Sequence, residues 1–198
     1  GMLSEESPVS LLDGFVLKEI VSLVRPAIGL SASFDGTAAL WNCIDGERLA
    51  SLRQQQARSL VSCGSISREF VFTAGNPPEI ALFDLASFSI VRSVPIETSS
   101  SIVCSGILPG TSVVVCGMCD GWIDAFDLSC SSESSRIAHF RAHSSPISDL
   151  GFSCCESSRF FTGSDCASLW DMRMTDQHSH EFRSTITDSI SGIIRENE

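Results

Sequence analysis

Three stretches of the chain decide its fold: ISDLGF at Ile147–Phe152, FTGSD at Phe161–Asp165 and LWD at Leu169–Asp171. The pattern within this unit has a period of two and is rich in β-branched and aromatic residues, which is typical of β-strands. Gly, Asp, Asn and Pro interrupt the pattern within the units of the chain, and these residues favour tight turns. The segment therefore predicts three short strands joined by turns.

The same pattern recurs along the chain. An aromatic residue followed by Asp or Asn recurs at four positions that are separated by 42, 43 and 44 residues. The four pairs are Trp41-Asn42, Phe83-Asp84, Phe126-Asp127 and Trp170-Asp171. Periods of about 20 to 50 residues are typical of stacked or radial repeat architectures. We therefore interpret the chain as an array of four repeats.

A second column of residues follows the same register. Ser31, Thr73 and Cys116 stand ten residues before the aromatic residue of their repeats, each between a large apolar residue and a small one. In the last repeat the equivalent Thr162 stands only eight residues before Trp170, which indicates a turn two residues shorter. Helical periodicity is absent over most of the chain, so the sequence predicts an all-β fold.

On these residues, together with Ala142-His143 ahead of the first strand of the last repeat, the chain resembles the WD-repeat β-propeller family. The resemblance spans roughly residues 13–173. It implies a propeller of which about four blades are visible, either incomplete or four-bladed. Residues 1–12 are then an N-terminal tail, and residues 174–198 are a polar C-terminal segment in which the stretch from Ile186 resembles the opening of a fifth repeat. Asp13–Ile20 resembles the fourth-strand segment Asp45–Leu52, which predicts that the first blade lacks about one strand.

The resemblance also implies a buried hydrogen-bonded set in the last repeat. Its members are His143, Thr162, Asp165 and Trp170, and the shortened turn bears on whether Asp165 reaches the others. The other repeats each lack at least one member, so we expect their blades to depend more on packing. Because a buried polar group without a partner costs about 1–3 kcal/mol, we expect replacement of His143 to destabilise the fold and replacement of His139 to be nearly silent.

Composition restricts the classes of partner. The chain has 24 acidic and 13 basic residues, a formal net charge of −11, which opposes binding to nucleic acids and to anionic membranes. It contains no long apolar run, and its N-terminal stretch is acidic and polar where a secretory signal is basic and then apolar. Nine cysteines form no regular framework and suit a reducing compartment. We therefore expect a cytoplasmic or nuclear protein.

Candidate catalytic and metal sites are few. No nucleophile-base motif, phosphate-binding glycine loop or His-Glu-x-x-His sequence occurs, so we expect no enzymatic activity and no cofactor. Cys116 and Cys119 form a CxxC pair, which leaves a thiol redox or hydrolytic enzyme as an alternative. A structural zinc site needs a second pair of ligands, and none follows at a suitable spacing, so we expect no metal.

Three residues are candidates for contacting a partner. Trp122 follows the Asp120-Gly121 turn, where the family usually has a small polar residue, and an accessible Trp is a typical interface anchor. The alternative is that Trp122 packs onto its own blade. The tetrapeptide Trp170-Asp171-Met172-Arg173 resembles the Trp-Asp-x-Arg box by which some WD-repeat proteins dock on the adaptor of cullin-4 ubiquitin ligases. Asp171 and Arg173 would carry that contact, or would simply pair with neighbouring charges.

The resemblance thus implies a non-catalytic scaffold that binds one or more proteins of unknown identity. The alternative within the same class is a substrate receptor of a cullin-4 ligase. Four repeats fall short of the usual number in the family, and an open propeller exposes apolar faces and unpaired strand edges, both of which favour association. We therefore expect self-association, or pairing with another chain, unless the repeats close as a compact four-bladed ring.

Overall fold

The structure is a computed structural model that describes residues 17–22, 28–54, 56–67, 69–130, 135–153, 158–173 and 178–182. Every regular element within these residues is a β-strand, so the described part of the chain is all-β. The predicted N-terminal tail at residues 1–12 and the predicted opening of a fifth repeat lie outside the described residues. Among the described residues no helix is long and apolar enough to cross a membrane.

The described residues form sixteen strands, which make four antiparallel sheets of four strands each. Sheet 1 contains β1 (Leu17–Ser22), β2 (Ile28–Ser33), β3 (Thr37–Asn42) and β4 (Arg48–Arg53). Sheet 2 contains β5 (Ser59–Ser65), β6 (Phe70–Asn76), β7 (Glu79–Asp84) and β8 (Ser89–Pro95). Sheet 3 contains β9 (Ile102–Ile107), β10 (Val113–Met118), β11 (Trp122–Asp127) and β12 (Arg136–Arg141). Sheet 4 contains β13 (Asp149–Phe152), β14 (Arg159–Gly163), β15 (Ala167–Asp171) and β16 (His178–Phe182).

Two boundaries differ from those expected from the sequence. β1 pairs with β2, so sheet 1 has four strands and does not lack one. β16 pairs with β15, so sheet 4 extends beyond the expected limit at residue 173. Both differences follow from strand pairing across the sheet, which residue types alone do not specify.

Each sheet is a meander in which strands that follow one another in the chain also pair in space. The order results from short turns, since antiparallel neighbours can be joined by a few residues. The aromatic residue of each repeat lies near the end of the third strand, where the acid or amide that follows it begins the turn to the fourth. In every sheet the fourth strand carries one extra residue opposite this point, which is a β-bulge.

The sheets pack face to face in chain order through three apolar cores. The core between sheets 1 and 2 includes Leu30, Leu40, Leu52, Val71 and Phe83. The core between sheets 2 and 3 includes Phe72, Ile80, Val114, Met118 and Phe126. The core between sheets 3 and 4 includes Val115, Ile123, Ile147, Phe160 and Trp170.

The first strands of successive sheets are also in contact: β1 contacts β5, β5 contacts β9, and β9 contacts β13. This arrangement is consistent with propeller blades whose first strands lie nearest a common axis. Among the described strands, no comparably extensive contact joins sheet 4 to sheet 1. The half-buried Trp41 of sheet 1 and the half-buried Phe161 and Leu169 of sheet 4 belong to none of the three cores.

Candidate functional sites

The polar set of the last repeat is centred on the hydroxyl of Thr162, which is fully buried on β14. Nε2 of His143 lies 2.6 Å from Oγ1 of Thr162, and the indole Nε1 of Trp170 donates to the same oxygen over 2.8 Å. The Trp170 ring also packs against Phe140, with ring centroids 4.7 Å apart. The three side chains join the β12–β13 loop to the middle strands of sheet 4. This arrangement stabilises sheet 4, and none of the three side chains presents an exposed reactive group.

The turn at Gly121 holds His143 in position. Gly121 has a φ of 85°, and its carbonyl accepts hydrogen bonds from the backbone N–H groups of Ala142 and His143. A Cβ at this residue would lie 2.2 Å from the carbonyl oxygen of His143. Glycine is therefore required here both by the left-handed backbone and by the close approach of the following loop.

Asp165, which the resemblance placed in this set, has a different partner. Its carboxylate accepts a hydrogen bond from Oγ of Ser145 over 2.5 Å. Cys166, the next residue, places its Sγ 3.7 Å from Nδ1 of His143. The turn between β14 and β15 has only three residues, which leaves the exposed Asp165 at the rim of the turn. Asp165 thus connects the β14–β15 turn to Ser145 in the loop before β13.

Two other sheets contain partial versions of the set. In sheet 1, Nε1 of Trp41 donates to Oγ of Ser31 over 2.7 Å. In sheet 2, the hydroxyl of Thr73 donates to Oε1 of the buried Gln54 over 3.0 Å, and Nε2 of Gln54 donates to Glu79 over 2.6 Å. Gln54 precedes Thr73 by 19 residues, the same spacing as His143 and Thr162. Sequence reasoning missed Gln54 because it searched this column for histidine only; the spacing was the available signal.

The acid or amide after each aromatic residue caps a turn. Oδ1 of this residue accepts a hydrogen bond from the backbone N–H two residues later in all four repeats, with donor–acceptor distances of 2.9–3.1 Å. The four capping residues are Asn42, Asp84, Asp127 and Asp171. Such side-chain caps stabilise the turn between the third and fourth strands. The aromatic–acid pairs are therefore explained structurally in every sheet.

Asp171 and Arg173, the candidate partner-binding pair, bind each other. Nε of Arg173 donates to Oδ1 of Asp171 over 2.9 Å, and Nη2 donates to Oδ2 over 2.5 Å. These hydrogen bonds, together with that from the backbone of Arg173, hold the pKa of Asp171 well below its ordinary value. Arg159 adds a weaker contact at 3.4 Å. The Arg173 side chain is 69% exposed, so a partner can reach it, although its donors already face a carboxylate.

Trp122, the third candidate, is half-buried and packs at the edge of the core between sheets 2 and 3. Its ring stacks on His139 with centroids 4.4 Å apart. Nδ1 of His139 lies 2.8 Å from Oδ1 of Asp124, whose side chain is 1% exposed, and Arg136 approaches the same oxygen at 3.5 Å. The contacts favour packing onto its own sheet over a free anchor. His139, whose replacement was expected to be nearly silent, is one of two side chains that contact this buried carboxylate.

The CxxC pair is split between two environments. Cys116 is fully buried on β10, whereas Cys119 is exposed in the following turn. Burial, and then the nearby Asp124 and Cys104, raise the pKa of the Cys116 thiol well above its ordinary value. A redox or nucleophilic cysteine needs a stabilised thiolate, and Cys116 has the opposite environment. In the described part of the chain, no three His, Cys, Asp or Glu side chains are grouped to hold a metal ion.

No model of a known protein family matches the chain, and no curated protein matches it significantly.

Proposed function

We propose that this protein is a WD-repeat β-propeller scaffold that binds other proteins and does not catalyse a reaction. The observation that carries the proposal is the repetition of one capped, four-stranded sheet, packed on its neighbours through three continuous cores. Such packing makes a rigid body, while the turns and outer strands are free to differ from sheet to sheet. A rigid body with variable exposed loops suits the binding of partners.

The polar groups support the same function. His143, Thr162 and Trp170 satisfy one another, and the acid or amide after each aromatic residue caps a turn. These groups stabilise the sheets, so the binding energy for a partner has to come from other, exposed residues. A cofactor is not part of the proposal.

The test is quantitative affinity purification with the intact chain as bait. The matched control is Thr162→Lys, which buries an unpaired charge at a fully buried position and so disrupts sheet 4. We expect at least one protein to be enriched on the wild-type chain and lost from the control. A wild-type chain that captures the same proteins as the disrupted one would contradict the scaffold function.

A second candidate is a substrate receptor of a cullin-4 ubiquitin ligase. It is favoured by the exposed guanidinium of Arg173, which Asp171 holds in a fixed orientation through two side-chain hydrogen bonds. Arg173→Ala should then abolish co-purification of the ligase adaptor. Arg159→Ala is the matched control, because Arg159 contacts the same carboxylate from β14. Equal adaptor recovery with all three chains would eliminate this candidate.

A further inference from the structure

The exposed apolar side chains of the described residues are unevenly distributed. Six large hydrophobic residues are more than one-third exposed, and five of them lie on the fourth strands of the sheets or in the turns that lead into those strands. The five residues, here called the rim apolar residues, are Ile44, Leu49, Phe88, Val91 and Ile137. Scattered exposed hydrophobics need no explanation, but these five recur at one structural feature of three successive sheets.

Three of these residues occupy the same structural position. Leu49, Val91 and Ile137 are the extra residues of the bulges in β4, β8 and β12, and they are 46%, 51% and 52% exposed. A bulge leaves its extra residue unpaired and redirects its side chain. The bulge requires one extra backbone residue and sets no requirement for an apolar side chain. The repeated choice of a branched apolar residue at this exposed position is therefore not required by the bulge itself.

The same three strands are basic in an acidic chain. β4, β8 and β12 carry five of the 13 basic residues of the chain and none of its 24 acidic residues. Arginine and a bulge alone would also discourage two edge strands from pairing, which is a common protection of free edges. An exposed Leu, Val or Ile works against that protection. The combination instead suits a ligand that is both acidic and apolar.

β4 presents the combination most fully. Arg48, Leu49, Ser51 and Arg53 are all exposed, whereas Ala50 is half-buried and Leu52 is buried. β4 is the last strand of sheet 1, so one of its backbone edges has no neighbouring strand among the described residues. An extended peptide can add to such an edge through backbone hydrogen bonds and place alternate side chains over the exposed residues.

Phe88 provides an independent observation from the neighbouring sheet. It has a φ of 53° and is 47% exposed, at the place in the β7–β8 turn where the β3–β4 turn has Gly46 with a φ of 75°. A bulky residue in the left-handed region is strained, and in sheet 1 glycine fills this place without strain. An exposed aromatic ring held at this energetic cost is expected where the ring contacts a ligand.

We propose that the outer strand β4 binds an extended acidic segment of a partner protein by strand addition, with an apolar residue of that segment over Leu49 and acids beside Arg48 and Arg53. β8 and β12 offer weaker versions of the same surface. Leu49 and Arg53 are four residues apart, roughly 13 Å along a strand. The ligand therefore needs an apolar residue and an acid with the same spacing on one face. This inference rests on the proposed scaffold function and adds the chemistry of the partner.

The test uses the intact chain and fluorescein-labelled eight-residue peptides in an anisotropy titration. The first peptide has glutamate at positions 1 and 7, valine at position 3 and threonine elsewhere. The second has glutamate at positions 1 and 7, valine at position 5 and threonine elsewhere. The two peptides therefore sample both parallel and antiparallel addition. We expect saturable binding of at least one of them, weakened roughly tenfold by Leu49→Asp. Phe34→Asp is the matched control, because Phe34 is equally exposed at 46% but lies in the β2–β3 turn.

A charge swap makes the test specific. The double variant Arg48→Glu with Arg53→Glu should lose the glutamate peptide and gain its lysine counterpart, whereas Arg58→Glu, at an exposed arginine outside the strands, should change neither. Circular dichroism confirms that each variant is folded. Three results would overturn the proposal: no saturable binding at about 1 mM peptide, equal loss with Leu49→Asp and Phe34→Asp, or equal binding when serine replaces valine in the peptide. If affinity-purified partners remain on the Leu49→Asp chain while the peptides fail, the scaffold function survives and only the strand-addition proposal is refuted.

Discussion

His143→Ala tests whether the buried set in sheet 4 stabilises the fold as the structure indicates. The substitution removes the partner that lies 2.6 Å from the Thr162 hydroxyl, and Thr162 itself is fully buried. Leaving part of a buried hydroxyl unsatisfied costs about 1–3 kcal/mol, and the missing imidazole adds a loss of packing, so we expect a loss of about 2–3 kcal/mol. Trp170→Phe removes the second partner but keeps an aromatic ring at a place where sheets 2 and 3 have Phe83 and Phe126, and it should cost about 1 kcal/mol.

Urea denaturation followed by circular dichroism measures these losses as shifts in midpoint at unchanged slope. Because both substitutions act on one hydroxyl, the double variant should lose less than the sum of the single losses, by about 0.5–1 kcal/mol. His139→Ala is the comparison: its ring is 43% exposed and shares Asp124 with Arg136, so we expect about 1 kcal/mol. Strict additivity of the first pair, or a larger loss for His139→Ala than for His143→Ala, would refute the reasoning.

Four further predictions concern other parts of the chain. Gly121→Ala should lower the free energy of unfolding by more than about 2 kcal/mol. Gly46→Ala should cost only about 1 kcal/mol, because Gly46 has a φ of 75° but no atom within 4 Å of the added Cβ. Equal losses in urea denaturation would contradict the steric account. The pKa values of Asp84 and Asp171 lie below the ordinary value of 3.8 in the folded state. The stability that these two carboxylates give to the fold is therefore complete above that pH and is lost as the pH falls below it. Urea midpoints that do not fall in this range would be inconsistent with the turn caps. Under native conditions Cys119 should react with iodoacetamide and Cys116 should not, as read by peptide mass mapping; rapid labelling of both would revive the redox alternative. Light scattering should detect association of the chain at micromolar concentration. Phe161→Glu should reduce this association, because Phe161 lies outside the three cores. A monomeric wild-type chain that binds no hydrophobic dye would argue against an open apolar face.

The sequence predicted the structural features that recur in every repeat, but it missed the case in which a different residue type fills the same role. The spacing of the aromatic residues Trp41, Phe83, Phe126 and Trp170 indicated four strand-rich units. A side-chain period of two and a turn after each aromatic residue can be recognised in the amino-acid sequence itself. Gln54 was missed because an amide can replace an imidazole as acceptor for Thr73, and a search for histidine does not detect it.

The limits of the site predictions have the same origin. Replacement of His139 was expected to be nearly silent, yet its Nδ1 lies 2.8 Å from Oδ1 of Asp124 on the neighbouring strand, whose side chain is 1% exposed. Asp165 was expected near His143, but a turn of three residues directs it to Ser145. In both cases the partner is set by cross-strand register and turn length, which residue types alone do not specify.

The most direct test of the central claim is light scattering coupled to size-exclusion chromatography on the purified chain mixed with a protein that it captures. A scaffold made of four packed sheets should form a stable complex of fixed stoichiometry, in which mass spectrometry finds both proteins chemically unchanged. The complex should disappear when the chain carries Thr162→Lys. Failure of the wild-type chain to co-elute with any captured protein at about 10 µM, or covalent change of that protein on mixing, would contradict a non-catalytic binding scaffold.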